Sequence, residues 1–182
     1  MTEVSASPKN VLCLCGSLRR VSANRAALEA ARELAPPSLR LDLYDDVSGL
    51  PVFDPDVETG PLPRSVRELR GAVGRADALL IACPEYAHGI PGAFKNLLDW
   101  LVGALEFPGK PVLLLNTSAR GSHHAQDALR EVLTTMSARL LSCESIPVRL
   151  PGAGCNVDAV LESEDRRHEI ETVLGVLAAG LA

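Results

Sequence analysis

The feature that most constrains this chain is a pair of short apolar runs, residues 10–15 and 78–83, each ending in a polar turn rich in glycine or proline. The first turn reads Gly16-Ser17-Leu18-Arg19-Arg20-Val21-Ser22-Ala23-Asn24 and the second Pro84-Glu85-Tyr86-Ala87-His88-Gly89-Ile90-Pro91-Gly92. An apolar run without polar alternation marks a strand buried on both faces, and a parallel strand of that kind needs a crossover to reach its neighbour. The chain is therefore expected to alternate strands with helices.

The remaining pattern keeps that rhythm. Ala27, Leu28, Ala31 and Leu34 fall on one helical face after Asn24, a residue able to cap the helix, and before Pro36-Pro37, which forbid its continuation. Leu39, Leu41 and Leu43 alternate with polar residues as in a second strand, and 44–63 reads as a long connection rich in Asp, Pro and Gly. A helix over 64–74 turns Val66, Leu69 and Val73 inward ahead of the strand at 78–83. The next helix starts at Pro91 and carries Phe94, Leu97, Leu98, Leu101 and Leu105 on one stripe until Pro108-Gly109. A fourth strand at 112–115 precedes a helix marked by Ala125, Ala128, Leu129, Val132, Leu133 and Met136. A fifth strand is expected around 139–148 and a final helix over 158–179. The pattern predicts a three-layer α/β fold: a five-stranded parallel sheet of order 2-1-3-4-5 with helices on both faces, one domain over 10–182 behind a tail at 1–9.

Charge and composition narrow the function. The 182 residues carry a net charge of -5 with no basic tail or block, which argues against nucleic acid or an anionic membrane surface as a partner. No run approaches the ~20 apolar residues that span a bilayer, and residues 1–10 lack an apolar signal core, so a cytoplasmic location is expected. Cys13, Cys15, Cys83, Cys143 and Cys155 are odd in number and three sit in apolar runs, so no disulfide framework is implied. Cys13 and Cys15 have one residue between them, against about two to four in zinc sites, and no metal is expected.

In open parallel sheets, ligands bind beyond the carboxyl ends of the strands where the strand order reverses, which places the turns after strands one and three side by side. In the first turn Gly16, Ser17, Ser22 and Asn24 surround Arg19 just before a helix. Backbone N–H groups at a helix start, hydroxyls and a guanidinium make a phosphate site, although a plain polar turn capped by Asn24 has the same composition. The turn matches neither the Walker pattern nor Gly-x-Gly-x-x-Gly, which argues against a nucleoside triphosphate. The second turn carries few charges beyond Glu85 and offers Tyr86, His88 and exposed backbone to a flat ring with polar edges; Tyr86 could equally be a packing residue. A third polar loop, Asn116-Thr117-Ser118-Ala119-Arg120-Gly121-Ser122-His123-His124, falls on the same sheet edge. Its two histidines read as a helix start rather than a metal or acid–base pair, since adjacent side chains diverge.

Gly16-Ser17-Leu18-Arg19 with Ser22 and Asn24, and Pro84-Glu85-Tyr86 through Ile90-Pro91-Gly92-Ala93-Phe94-Lys95-Asn96-Leu97-Leu98-Asp99-Trp100-Leu101, resemble the paired signatures of the flavodoxin-like NADPH-dependent FMN reductases, a family that includes quinone, chromate and azo-dye reductases. The likeness runs over 10–148. It implies a flavodoxin-like fold and an FMN whose phosphate rests on Ser17, Arg19, Ser22 and Asn24, with Leu18 between them. The isoalloxazine would lie on Pro84, Glu85, Tyr86, Ala87, His88 and Gly89, with Thr117, Ser118, Arg120 and Gly121 as a third wall. Many members carry Asn where this chain has Ala87, and Ser-Pro-Gly-Gly where it has Ser118-Ala119-Arg120-Gly121.

The resemblance further implies hydride transfer from NADPH, or NADH, to bound FMN and then to a small-molecule electron acceptor such as a quinone, free flavin, azo compound or metal oxyanion. The flavin carries the redox chemistry, so no side chain is expected to act as a catalytic acid, base or nucleophile. With no second dinucleotide-binding unit in the sequence, donor and acceptor are expected to share one cleft in a ping-pong mechanism. A homodimer or homotetramer is implied, with the helix after Pro91 and the 44–63 connection near the partner subunit and Trp100 either at that contact or in the core. Two other readings compete. An FMN electron carrier of the flavodoxin type would use a more acidic surface and a Thr/Ser-rich first loop. Cys13 through Arg19 also fits the Cys-x5-Arg spacing of low-molecular-weight phosphatases, but the cysteine falls inside the apolar run and Arg20 stands where Ser or Thr belongs.

Overall fold

The computed structural model describes residues 7–119, 121–152 and 154–182. Strand β1 (Lys9–Cys15) lies between β2 (Leu39–Tyr44) and β3 (Ala78–Ala82), and β4 (Pro111–Ser118) follows on the far side of β3. Val11 pairs with both Leu41 and Ala78, and Leu80 pairs with Leu113, all in parallel. The flavodoxin-like order 2-1-3-4-5 is therefore present.

The expected fifth strand divides in two. β5 (Arg139–Leu140) pairs with the first residues of β4, and β6 (Ile146–Leu150) pairs with its last, giving six strands among the described residues. Between them residues 141–144 form a bend, and the Ser145 hydroxyl that follows it donates to Gln126. β6 tolerates Pro147 because it lies at the sheet edge, where one face of backbone needs no donor.

Helices cover both faces. α1 (Ala23–Glu33) and α7 (Glu164–Gly180), with the short α6 (Val157–Leu161), pack against Val11, Cys13, Cys15 and Leu80. α3 (Arg64–Arg75), α4 (Gly92–Val102) and α5 (His123–Thr135) pack on the opposite face against Leu12, Leu14, Leu79 and Ile81. Successive strand residues thus feed two cores, as a period of two requires, which is why these strands read as unbroken apolar runs.

Three helix boundaries differ from the sequence expectation. Ser22, not Asn24, caps α1: its Oγ accepts the Arg25 N–H at 3.2 Å, and Asn24 falls inside the first turn. α4 ends at a Gly103 cap, so Leu105 leaves the apolar stripe and is 94% exposed. The final helix breaks in two where Ser163 interrupts the run and Asn156 caps the first piece through the Ala159 N–H.

The 44–63 connection is ordered by local devices that composition hides. It holds a 3₁₀ turn at Val47–Gly49 and a short helix, α2 (Pro55–Glu58), whose Asp54 cap accepts the Asp56 N–H at 2.9 Å. Asn96 on α4 clamps it, accepting the Phe53 N–H at 2.7 Å and donating to the Pro51 carbonyl at 2.9 Å. Trp100 is wholly buried in the core; its indole N–H donates to the same carbonyl at 2.8 Å, and Phe53 meets it edge-on with centroids 5.0 Å apart. Arg70 completes the clamp through an ion pair with Glu58 and a 3.0 Å bond to the Trp100 carbonyl.

Burial pushes the Cys13 and Cys83 thiols up to about 12, and the Tyr44 phenol as well. An unfolded thiol ionises near about 8.5, so the folded state binds these protons more tightly. Their contribution to stability is full below that value and lost as the pH rises toward the folded one. Urea midpoints are expected to fall from about pH 8.5 upward, less steeply in Cys13→Ala; a level midpoint to about pH 11 would contradict this burial.

Candidate active site

The exits of β1, β3, β4 and β6 converge on a cleft of about 460 Å³, within the range of small-molecule sites. β1 and β3 leave the sheet in close contact. The Gly16 N–H donates to the Ala82 carbonyl at 2.8 Å, and a Cβ on Gly16 would stand 2.8 Å from the Cys83 sulfur and 3.1 Å from its Cα. Only glycine lets the first turn pass the end of β3.

Beyond Gly16, Ser17, Arg19, Ser22 and Asn24 line the cleft, with Ala23 between the last two. Ser17, Ser22 and Asn24 are buried although polar, as is Thr117 at the end of β4. The Thr117 hydroxyl donates to the Asn24 side-chain oxygen at 3.1 Å and so ties β4 to α1 across the cleft floor. Asn24 can make that bond because the capping task belongs to Ser22. Ser17 Oγ accepts the Arg19 N–H at 3.4 Å, which folds the turn back on itself. The first turn of α1 contains no acidic residue, so the N–H groups that no helical carbonyl can satisfy meet no competing charge. Hydroxyls, a guanidinium and a helix start on one wall form an anion seat.

Pro84, Glu85 and Tyr86 form the second wall. Tyr86 and Gly89 exchange backbone hydrogen bonds at 3.1 and 3.0 Å around a two-residue turn in which Ala87 and His88 have φ of 48° and 58°. Such turns favour Asn or Gly, and a non-glycine residue held left-handed costs roughly 1–2 kcal/mol. The carboxylate of Glu85 points away from the anion seat. One oxygen accepts the Ala125 N–H of α5 at 3.0 Å and the other lies 3.6 Å from His88 Nδ1. Glu85 thereby caps α5 from a distance, because the residue at the cap position, Ser122, is left-handed with φ 46° and makes no side-chain cap bond. The His88 ring meets His124 edge-on with centroids 4.5 Å apart, fastening the turn to α5 at a second point.

Thr117, Ser118, Ala119 and Ser122 supply the third wall. Asn116 shapes it, accepting the Ser118 N–H at 3.0 Å and donating to the Gly121 carbonyl at 2.6 Å. Beneath it, buried Gln126 donates to the Cys83 carbonyl at 3.3 Å and accepts from Ser145 at 2.5 Å, locking the β3 exit to the bend before β6.

Of the residues singled out in the sequence, nine line this cleft: Ser17, Arg19, Ser22, Asn24, Pro84, Glu85, Tyr86, Thr117 and Ser118. Leu18 faces a neighbouring groove with Val47, Leu50, Val52 and Asn96. Ala87, His88 and Gly89 form the tip of the turn and do not line the cleft, while Gly121 faces a groove behind the third loop. Arg120 lies outside the described residues. A fourth wall, Leu150, Pro151 and Gly152, escaped the sequence reading. The Pro151-Gly152 pair directly after apolar Leu150 carries the same strand-to-turn signature as the first two loops, but the fifth strand was expected to end at Val148.

The phosphatase alternative fails on its nucleophile. Cys13 sits inside β1 with no exposure and its thiol is pushed up to about 12 by burial. Cys15 is also buried and raised for the same reason, its sulfur donating to the Ser17 carbonyl at 3.5 Å. Neither is a thiolate near neutral pH.

The NADPH-dependent FMN reductase family matches residues 9–148. An NAD(P)H-dependent FMN reductase of Pseudomonas aeruginosa is 40% identical over 171 residues, covering 92% of each chain. A quinone reductase of Escherichia coli is 32% identical over 137 residues, 72% of this chain and 73% of the relative. Among solved structures, the flavoenzyme NAD(P)H:(acceptor) oxidoreductase FerB of Paracoccus denitrificans superposes with a TM-score of 0.74 at 27% identity over 95% of both chains. With that span of sequence and the sheet order in agreement, the chain belongs to the NADPH-dependent FMN reductase family.

Proposed function

We propose that the cleft at the carboxyl edge of the sheet seats the FMN of this NAD(P)H-dependent oxidoreductase, and that a quinone is the acceptor it serves. One observation carries the reading: buried Ser17, Ser22, Asn24 and Thr117 gather with Arg19 at the acid-free start of α1, while the single carboxylate of the lining, Glu85, is engaged by α5. That donor set suits a dianionic phosphate. Pro84 and half-exposed Tyr86, with the backbone of the turn behind them, form a wall for a flat ring. Any contact with the ring at Ala87, on the tip of the turn, is through the backbone, since the side chain offers no hydrogen bond. Arg120 and Gly121 belong to the same proposed binding set, as do Leu18, His88 and Gly89 at the rim.

When bound, FMN supplies the ring that takes hydride from reduced nicotinamide and gives it to the acceptor. The chain's own residues anchor the phosphate, hold the ring against the Tyr86 wall and keep both loops in place through Gln126 and Glu85. No side chain of the cleft is assigned the role of acid, base or nucleophile. NAD(P)H and the quinone enter one shared cleft in turn, and initial-velocity lines at varied quinone are expected to run parallel; intersecting lines would exclude the shared-cleft order.

The quinone follows from the reductase of that name among the relatives. We also assign the chain from β1 onward to one domain, which takes in Lys9 from the expected 1–9 tail, and the cytoplasm as its location, in keeping with five free cysteines. No helix of the described residues is long and apolar enough to cross a membrane. A homodimer or homotetramer is proposed through α4, the turn that follows it and the 44–63 segment: Val52 in that segment is 85% exposed, Leu105 in the turn 94%, and a groove of about 500 Å³ opens between Leu18, Val52 and α4. The double variant Val52→Asp/Leu105→Asp is expected to sediment as a monomer with its helical circular dichroism intact.

The function is tested by the absorption spectrum of the purified protein and an anaerobic NADPH titration. A yellow protein bleached by NADPH and recoloured by a quinone is expected; one that turns over no acceptor would favour the flavodoxin-type carrier. Ser17→Ala/Arg19→Ala is expected to weaken FMN retention by about 1.5–3 kcal/mol for each charged hydrogen bond lost, measured by flavin fluorescence on dilution. Unchanged retention would remove the phosphate from this turn.

A further inference from the structure

Behind the β4–α5 loop lies a second groove, of about 380 Å³, which shares Ser118 and Ala119 with the cleft. Its charged walls are Arg130 on α5, Arg149 on β6 and Glu144 in the bend between β5 and β6, with His123 at the mouth. Nothing assigned above to the cleft uses these residues. We propose that this groove takes the 2′-phosphate of NADPH and so separates NADPH from NADH, an inference that rests on the reading of the cleft as the place where the nicotinamide is oxidised.

Position is the first argument. A dinucleotide whose nicotinamide lies in the cleft must lay its adenosine half along a rim, and this groove is separated from the cleft by one loop. Two further grooves hold arginines, one with Arg64, Arg67, Glu68 and Arg75 along α3 and one with Arg40, Asp42 and Arg75, and neither shares a residue with the cleft.

Chemistry is the second. A phosphate monoester adds about two negative charges near neutral pH, where NADH presents only a hydroxyl. Arg130 and Arg149 stand against Glu144 of the lining and Asp127, which is paired with Arg130, so the preference for the phosphate rests on the exposed Arg149 side chain and on the planar fork of arginine, which matches its oxygens. α5 adds no attraction of its own, because Glu85 already occupies its start. Discrimination therefore falls to Arg130 and Arg149.

Preorganisation is the third. The Arg130 guanidinium is braced by an ion pair with Asp127 and by a 3.4 Å bond to Ser145 Oγ. Ser145 in turn donates to Gln126, which holds the Cys83 carbonyl at the cleft wall. One hydrogen-bonded chain thus fixes Arg130 relative to the cleft. Arg149 is anchored through its backbone N–H, which donates to Glu169 at 3.0 Å, while its exposed side chain has no partner among the described residues.

The FMN-loaded protein is titrated calorimetrically with adenosine 2′,5′-bisphosphate and with 5′-AMP. The bisphosphate is expected to bind at least about tenfold more tightly, as the loss of a charged hydrogen bond would predict. Arg149→Ala and Arg130→Gln are each expected to shrink that gap several-fold, and Arg149→Ala to lower the NADPH-to-NADH ratio of kcat/KM by about tenfold. Arg149→Ala reads the groove without disturbing the Gln126 chain, so a melting curve matching the parent's keeps the result interpretable. Equal binding of the two nucleotides, or a ratio unmoved by both variants, overturns the proposal. A protein that takes up FMN and oxidises both nucleotides alike sinks the groove alone; one that takes up no FMN and oxidises neither sinks the reading of the cleft and this inference with it.

Discussion

The contact between Gly16 and Cys83 governs the arrangement of the whole carboxyl edge. β1 and β3 are neighbours in the sheet, and their exits can run side by side only because the first turn presents no side chain to the second. From that contact the first turn is directed toward the start of α1 and the second toward α5, which opens the cleft between them. The apolar strands supply the stability, but this single close approach decides where the polar groups meet.

Around it, the loops are held by a few cross-links rather than by packing. Thr117 reaches Asn24 from β4, Gln126 reaches Cys83 from α5, and Glu85 reaches Ala125 in the opposite direction. Each joins segments distant in sequence, and a hydrogen bond of this kind contributes only about 0.5–1.5 kcal/mol net, or about 1.5–3 where a charge takes part. Their value lies in fixing relative position. A loop tied at two points has little freedom left to lose when a ligand arrives, which is the physical meaning of preorganisation.

The strands, their order and the two opening turns were legible in the sequence, because a sheet covered on both faces leaves unbroken apolar runs at 10–15, 78–83 and 112–115. What was not legible depended on contacts far apart in the chain. Asn24 and Ser22 are both good caps, and only the folded structure shows that Ser22 takes the cap while Asn24 accepts the Thr117 hydroxyl from a distant strand. The split of the last strand turns on Ser145 finding Gln126, and the order of 44–63 on Asn96 and Trp100 finding Pro51. Glu85 lines the cleft as expected but also serves as a remote cap, a role not legible because a sequence does not show that Ser122 would be left-handed. The wall at Pro151-Gly152 was the one omission a sequence could have prevented.

Two helices point their starts toward the same opening, yet they do not offer it the same field. α1 arrives bare, whereas Glu85 has already neutralised α5 from across the gap. The opening is therefore keyed like an asymmetric socket: a molecule with a charged tail and an uncharged disc fits it one way round, and the reversed pose would set its charge beside a carboxylate.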